Sequence, residues 1–250
     1  MVAVVVVVSE DLAEAVLAEA VQAEGGKPPK SPERGLNTKT ENEMNPLLYK
    51  LHPWHGIDKG EKFPELLTAF IEIVPADTVK YEIDKKSGWL KVDRPQLYSN
   101  IVPALYGFIP QTLCDLKVGA FCMERTGRKN ISGDQDPMDI LVLEEKNIQN
   151  GGILVQAIPI GGFRMIDKNE ADDKIIAVMK DDAVYGKYND ISELNESIVN
   201  RLKHYFLTYK DLPGSTEKRK VEIAAVYGRE ETLEVIRKSA ADYKNRFPGL

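Results

Sequence analysis

The chain has 250 residues, of which 43% are hydrophobic and 29% are charged, a composition typical of a soluble globular protein. Its net charge of −6 at pH 7 argues against a protein that coats nucleic acid, and its two cysteines are too few for a disulfide scaffold. The apolar run at residues 2–8 is far shorter than the roughly 20 residues of a membrane-spanning helix. We therefore expect neither nucleic acid nor a membrane as a partner.

The N-terminal region differs in composition from the rest of the chain. Acidic residues follow the apolar run, which is the reverse of a secretory or transit signal, so the expected location is the cytoplasm. Residues 10–24 are rich in Ala and Glu and predict a short helix, and residues 25–45 have the composition of a disordered linker. The sequence thus predicts an N-terminal extension at residues 1–46 and a folded domain at residues 47–250.

Short β-type segments separated by Gly-rich turns fill the first part of that domain. Lys85-Lys86-Ser87-Gly88 has the composition of a hairpin turn, and Gly151-Gly152 and Gly161-Gly162 predict two further turns. The predicted strands are residues 69–74, 79–84, 89–93, 139–143, 153–158, 162–166 and 174–178. This pattern predicts a mainly β, α+β fold built on a closed antiparallel OB-like β-barrel.

Two helices are predicted near the C-terminal end, where they would flank the barrel. Apolar residues recur at helical spacing over residues 192–209, with Ser192 as the N-cap, and again over residues 229–247. The segment between Cys114 and Ile131 is expected to be a long loop. The three histidines are expected to serve packing or subunit contacts.

The most distinctive motif is Gly133-Asp134-Gln135-Asp136-Pro137-Met138-Asp139, which leads directly into an apolar strand. Three carboxylates this close repel one another, and without a cation some would have to be protonated. Such oxygen-rich clusters suit a hard divalent ion such as Mg²⁺. The motif does not fit an EF-hand loop, because Asp139 stands where Gly is needed. By itself it is equally compatible with a solvated acidic turn.

A second acidic turn and a set of basic residues favour the metal interpretation. Asp167, Asp172 and Lys174 lie in a turn between two predicted strands, so both acidic turns could meet at one end of the barrel. Lys80, Glu82 and Arg94 lie on the predicted hairpin, and Tyr209-Lys210 ends the first helix. Lys, Arg and Tyr are phosphate ligands, so the combination predicts a small, highly charged phosphate substrate.

These motifs together resemble the soluble family I inorganic pyrophosphatases, whose DxDPxD signature is highly specific. The resemblance covers about residues 52–247, and the Pro53-Trp54-His55-Gly56 segment and the long loop after Cys114 resemble the chlamydia-like bacterial form. The matching motifs are Ile71-Glu72-Ile73, Lys80-Tyr81-Glu82, Val92-Asp93-Arg94, Leu105-Tyr106-Gly107, Asp134 through Asp139, Asp167 through Lys174, and Tyr209-Lys210. The resemblance implies hydrolysis of pyrophosphate to two phosphates by direct attack of a metal-activated water, with several Mg²⁺ ions per site.

The resemblance also implies a role for each matching residue. Asp136 is the expected catalytic base. The expected metal ligands are Asp134, Asp139, Asp167, Asp172 and Glu72. The expected substrate-binding residues are Lys80, Arg94, Tyr106, Tyr209 and Lys210, with Glu82 and Lys174 in supporting roles. The family forms dimers and hexamers, so a homo-oligomer is expected.

The sequence departs from the family pattern at two positions. Val102 precedes Pro103 where many bacterial members have Tyr, and Leu105 replaces the usual Asn. Neither change removes an expected metal ligand.

Two other functions are compatible with parts of the pattern. A metal-dependent hydrolase of nucleotides or polyphosphate would need a base-stacking platform or a longer cleft, and neither is clear in the sequence. A barrel that only binds a partner would not need the acidic residues, and a nucleic-acid module would present a basic face.

Overall fold

The computed structural model describes residues 51–210 and 221–249. The predicted helix at residues 10–24 and the predicted linker lie outside the described residues. The strands are β1 Leu67–Ile73, β2 Val79–Ile83, β3 Leu90–Pro95, β4 Leu105–Phe108, β5 Ser132–Gly133, β6 Asp139–Leu143, β7 Ile153–Asp167, β8 Glu170–Ala171, β9 Lys174–Met179 and β10 Val221–Gly228. The helices are α1 Leu116–Thr126, α2 Glu196–Thr208 and α3 Arg229–Arg246.

The apolar strands β6 and β9 are buried on both faces, which explains why they lack a polar face. Alternate residues point to opposite sides of a strand. In β6, Ile140 and Val142 pack with α1 and α3, whereas Leu141 and Leu143 pack with α2. Because both faces are covered, the sequence of such a strand is a continuous apolar run. The central sheet thus separates two hydrophobic cores.

Strand pairing confirms the mainly β, α+β class and corrects its antiparallel description. The central strands pair in the order β1-β4-β6-β9-β7, and β1 also pairs with β7. Most of these pairs are antiparallel, but β6 and β9 run parallel, as do the two-residue strands β5 and β8. The parallel pair places Asp139, the first residue of β6, opposite Lys174, the first residue of β9. Both acidic turns therefore meet at one end of the sheet.

The predicted turn at Gly161-Gly162 is wrong, because these residues lie inside the 15-residue strand β7. A Cβ atom on Gly161 would lie 2.4 Å from the Cβ of Ile191, and one on Gly162 would lie 2.5 Å from the ring of Tyr227. The pairing register of β7 with β9 also shifts between Pro159 and Gly161. The glycines are thus required by close packing and not by a change of chain direction.

The expected long loop after Cys114 contains the helix α1, which the sequence did not predict. Its N-terminus is capped from α3: the buried carboxylate of Asp242 accepts the backbone N–H groups of Asp115, Lys117 and Val118 at 3.0–3.2 Å. Side-chain oxygens satisfy the free N–H groups of a helix start. Here the capping residue lies more than 100 positions away, so no local signal marks the helix.

The C-terminal helices are present, but the first begins later than predicted. Ser192 is not an N-cap; it lies in a short 3-10 turn, Ile191–Glu193, where its N–H donates to Asp190 at 3.0 Å. The helix α2 begins at Glu196, and Asn195 accepts the N–H of Ser197 at 2.9 Å. The strand β10, absent from the prediction, pairs with β7 and leads directly into α3. No helix within residues 51–210 and 221–249 is long and apolar enough to cross a bilayer.

Candidate active site

A cavity of about 210 Å³ at this end of the sheet is lined by all the predicted site residues except Arg94. Its predicted lining residues are Glu72, Lys80, Glu82, Tyr106, Asp134, Asp136, Asp139, Asp167, Asp172, Lys174, Tyr209 and Lys210. Lys85, Glu170 and the apolar residues Ile83, Phe108 and Pro137 also line it, and no role was predicted for these five. The two acidic motifs and most of the basic residues therefore form one site.

Lys174 joins the two acidic turns. Its buried ammonium group forms ion pairs with both Asp139 and Asp172. Burial disfavours the charged ammonium, but these two carboxylates hold the pKa of Lys174 well above its usual value. Asp139 also accepts a hydrogen bond of 2.6 Å from the hydroxyl of Tyr106. Burial, and then the charge of Asp139, raise the pKa of Tyr106 well above its usual value, so this hydroxyl is a neutral donor.

The loop that carries Asp134 and Asp136 is tightly held. Gln135 between them has a positive φ of 64°, and its side chain donates to Asp115 at 2.8 Å. The N–H of Asp136 donates to Asp134 at 3.0 Å, and its carbonyl accepts from Cys114 at 2.8 Å. These contacts connect the loop to the start of α1, and no local sequence signal predicts this support. Burial, and then the charge of Asp172, raise the pKa of Asp134 to about 9.

Glu72 lies on β1 and lines the cavity. Only 6% of the residue is exposed, and Oε1 accepts the backbone N–H of Ile83 at 2.7 Å. Burial raises the pKa of Glu72 to about 8, although this hydrogen bond favours the charged form. A carboxylate in this position is suited to bind a cation.

The end of α2 closes the cavity on another side. Lys210 donates to Oδ2 of Asp167 at 3.2 Å, and the Tyr209 ring stacks on Tyr205 with 5.1 Å between centroids. Among the described residues, the other oxygen of Asp167, Oδ1, is buried without a hydrogen-bond partner. Buried polar atoms are normally satisfied, so this oxygen is available to accept from a water or to bind a cation.

The hairpin of β2 and β3 contributes Lys80, which forms ion pairs of 3.3 Å with both Glu82 and Asp93. Arg94 is paired across the strands with Lys80 but does not line the cavity, and its guanidinium contacts Asp93 at 2.6 Å. The structure therefore brings Lys80 and Glu82 to the site, whereas Arg94 lies on the neighbouring strand β3 and does not line the cavity.

The two departures from the family pattern do not enter the site. Val102 and Leu105 are fully buried, and each packs in one of the two hydrophobic cores. Because side chains alternate along a strand, Leu105 points into the core while its neighbour Tyr106 points into the cavity.

The chemistry of the cavity fits divalent cations. Eight carboxylates line the same small space, and five of them are the predicted metal ligands Glu72, Asp134, Asp139, Asp167 and Asp172. The pKa values of Glu72, Asp134 and Asp172 are raised chiefly by burial. A divalent cation would stabilise their charged forms. Among these carboxylates, Oδ1 of Asp167 has no hydrogen-bond partner within the described residues and is available as a ligand. The donor set is entirely of the oxygen type that Mg²⁺ prefers.

The carboxylates are not arranged as a preformed metal cage. Within the described ranges, no three Asp, Glu, His or Cys side chains are gathered closely enough to hold an ion. Lys174 accounts for part of this arrangement, because its ammonium group pairs with both Asp139 and Asp172. The fit to metal rests on the kind and number of donors and not on existing coordination geometry.

A mainly β fold with carboxylates, lysines and tyrosines around one small cavity defines an enzyme class that acts on compact phosphate anions. Comparisons with known proteins agree. The family profile described as inorganic pyrophosphatase matches residues 69–244. The chain is 51% identical over 199 residues to the inorganic pyrophosphatase of Chlamydia trachomatis serovar L2, a match that covers 78% of this chain and 95% of that protein. It is 40% identical over 189 residues to the soluble inorganic pyrophosphatase of Zea mays, covering 75% and 78%.

The fold is also similar to solved structures. The crystal structure of inorganic pyrophosphatase from Thermus thermophilus superposes with a TM-score of 0.63 at 30% identity, covering 75% of this chain and 97% of that one. The chain belongs to the soluble family I inorganic pyrophosphatases, which are enzymes that hydrolyse pyrophosphate to phosphate. The family and enzyme class predicted from the sequence are confirmed, including the similarity to chlamydial members.

Proposed function

We propose that this chain hydrolyses pyrophosphate by direct attack of water on phosphorus, with Mg²⁺ as its cofactor. One observation carries the proposal: Asp139 and Asp172, which come from the two acidic turns, contact the same ammonium group of Lys174. Both turns therefore face one space that also contains the phosphate-binding types of side chain. A small cavity with opposed carboxylates and cations suits a compact tetra-anion better than a nucleotide.

The proposed roles of the chain's own residues follow from their positions. Asp136 would accept a proton from the attacking water as its oxygen bonds to phosphorus and the bridging P–O bond breaks. The released phosphate would be stabilised by the cationic side chains and by neutral tyrosine donors. Lys80, Arg94, Tyr106, Tyr209 and Lys210 would bind the phosphates, with Glu82 and Lys174 as supporting residues. Arg94 would have to turn its guanidinium group from Asp93 toward the substrate.

Asp134, Asp139, Asp167, Asp172 and Glu72 would hold the metal ions. When bound, Mg²⁺ would polarise phosphoryl oxygens and lower the pKa of a coordinated water. The protein's part is positioning and charge stabilisation, because phosphoryl transfer leaves little covalent work to side chains.

Three further features belong to this proposal. The continuous pairing of β1, β4, β6, β9 and β7, with β1 also on β7, supports a closed OB-like barrel as the core of the catalytic domain at residues 47–250, with residues 1–46 as an extension. Cys114 and Cys122 are unpaired and buried, in keeping with a reducing cytoplasm. We also propose a homo-oligomer.

Phosphate release from pyrophosphate and from ATP, each with and without Mg²⁺, tests the proposal. We expect Mg²⁺-dependent release from pyrophosphate, abolished by a chelator, and at least about 100-fold slower release from ATP, since a site built for one anion discriminates strongly by its polar contacts. Equal or faster turnover of ATP would favour the nucleotide hydrolase. No release from either substrate would favour a binding module.

A further inference from the structure

Lys85, in the turn between β2 and β3, contacts the residue that we propose as the catalytic base. Its ammonium group forms an ion pair with the Asp136 carboxylate and donates to the carbonyl of Gln135 at 3.2 Å. Lys85 also lines the active-site cavity. By sequence alone it is an ordinary hairpin-turn lysine, and its neighbour Lys86 has the same residue type and is also exposed.

The backbone of Asp136 is fixed, but its side chain depends on Lys85. Two hydrogen bonds hold the backbone, from its N–H to Asp134 and from the N–H of Cys114 to its carbonyl. The side chain is 45% exposed, and within residues 51–210 and 221–249 Lys85 is the only cation within ion-pair distance of it. A general base must lie within hydrogen-bond reach of the water that it deprotonates. A half-exposed carboxylate without this contact would sample several rotamers.

The turn that carries Lys85 is itself anchored on both sides. Ser87 donates to Asp84 from its N–H at 3.0 Å and from its hydroxyl at 2.6 Å. Gly88 has a φ of 72°, and a Cβ atom there would lie 2.9 Å from the ring of His52. These contacts leave the turn little freedom.

The segment before the first strand provides the other anchor. His52 Nε2–H donates to the carbonyl of Lys85 at 3.2 Å, and the Lys85 ammonium lies 5.9 Å from the centre of the Trp54 ring. Trp54 is in turn fixed by a hydrogen bond of 2.7 Å from its indole N–H to the carbonyl of Thr112. The half-exposed ion pair between Lys85 and Asp136 adds at most about 1 kcal/mol to stability. We therefore expect it to affect the position of the Asp136 carboxylate more than the stability of the fold.

We propose that Lys85 is a positioning residue that holds the Asp136 carboxylate in its reactive orientation. This inference rests on the proposed function, in which Asp136 accepts the proton of the attacking water. The His52 and Trp54 contacts determine where the Lys85 ammonium lies, and the ammonium determines where the carboxylate points.

Steady-state kinetics of Mg²⁺-supported pyrophosphate hydrolysis by full-length variants tests this role. Lys85→Ala should lower kcat by about 10- to 100-fold, because small misplacements of a reacting group have effects of this size, while KM changes less than about twofold. Lys85→Arg should recover most of the loss, and the matched control Lys86→Ala should keep the parental values. Melting temperatures close to that of the parent would show that each variant is folded.

A double variant separates positioning from substrate binding. If Lys85 acts through Asp136, Lys85→Ala/Asp136→Asn should be no slower than Asp136→Asn alone, since residues that act as a unit are not additive. Losses that multiply, a raised KM at unchanged kcat, or a parental kcat in Lys85→Ala would overturn the proposal. A parent protein without pyrophosphate hydrolysis would instead overturn the proposed function, and this inference with it.

Discussion

The substitution Asp136→Asn is expected to lower kcat for pyrophosphate by about two to four orders of magnitude, the usual contribution of a positioned general base. Asn has the same shape as Asp but cannot accept a proton at this position. The backbone bonds of residue 136 to Asp134 and Cys114 do not involve its side chain, so the loop should keep its conformation. The fold and Mg²⁺ affinity should therefore change little.

Stopped or coupled phosphate assays give kcat, and calorimetric titration gives the Mg²⁺ affinity of the same preparations. Asp181→Asn is a matched control, since it makes the same chemical change at a side chain that is 82% exposed and outside the cavity. Parental turnover by Asp136→Asn would show that another group accepts the proton.

The second large effect, on the free energy of unfolding, is expected from the buried ion pair of Arg164 and Asp173, next to the site residue Asp172. Both side chains are 1% exposed, and two guanidinium nitrogens contact Asp173 at 3.1–3.4 Å. Tyr227 donates to the same carboxylate at 2.9 Å, and Glu231 of α3 lies 3.0 Å from the guanidinium. Burial raises the pKa of Asp173 despite the neighbouring cation. With Tyr227 of β10 and Glu231 of α3, the pair joins β7 to the turn before β9, where Asp173 lies between Asp172 and Lys174.

Arg164→Met should lower the free energy of unfolding by roughly 3–5 kcal/mol, because it leaves a buried carboxylate without its counter-charge. Urea denaturation measures this change from the transition midpoint. Arg237→Met is the matched control, since Arg237 pairs with Glu65 at 2.9 Å with both side chains about half exposed, and such pairs contribute at most about 1 kcal/mol. Arg164→Met/Asp173→Leu should regain part of the loss. A loss below about 1 kcal/mol in Arg164→Met would refute the structural role of the pair.

The sequence predicted the parts of the fold that local patterns determine. The strand at residues 139–143 and the helix beginning at Arg229 were predicted at their observed starts, because an apolar run and a helical repeat are local signals. Gly161-Gly162 was wrongly predicted as a turn, because a pair of glycines is a typical turn signal. In the structure these glycines are needed for close packing against Ile191 and Tyr227. The helix α1 was missed since its cap, Asp242, comes from a distant part of the chain.

The candidate site was predictable to the extent that its residues form motifs. Asp134, Asp136 and Asp139 repeat at short spacing, and their convergence with Asp172 follows from which strands lie side by side. Lys85 carries no such signal, because a lysine in a hairpin turn is usually solvated. Its contacts in three dimensions, above all the ion pair with Asp136, distinguish it from Lys86.

The proposed function requires Asp139 and Asp172 to act within one site. A double-variant cycle tests this requirement: kcat/KM for pyrophosphate is measured for the parent, Asp139→Asn, Asp172→Asn and the double variant. We expect each single variant to lose at least about 100-fold, as for other groups that stabilise charge in a transition state. The kcat/KM of the double variant should be only slightly lower than that of the less active single variant. Losses that multiply, or a single variant with parental kcat/KM, would contradict a shared site.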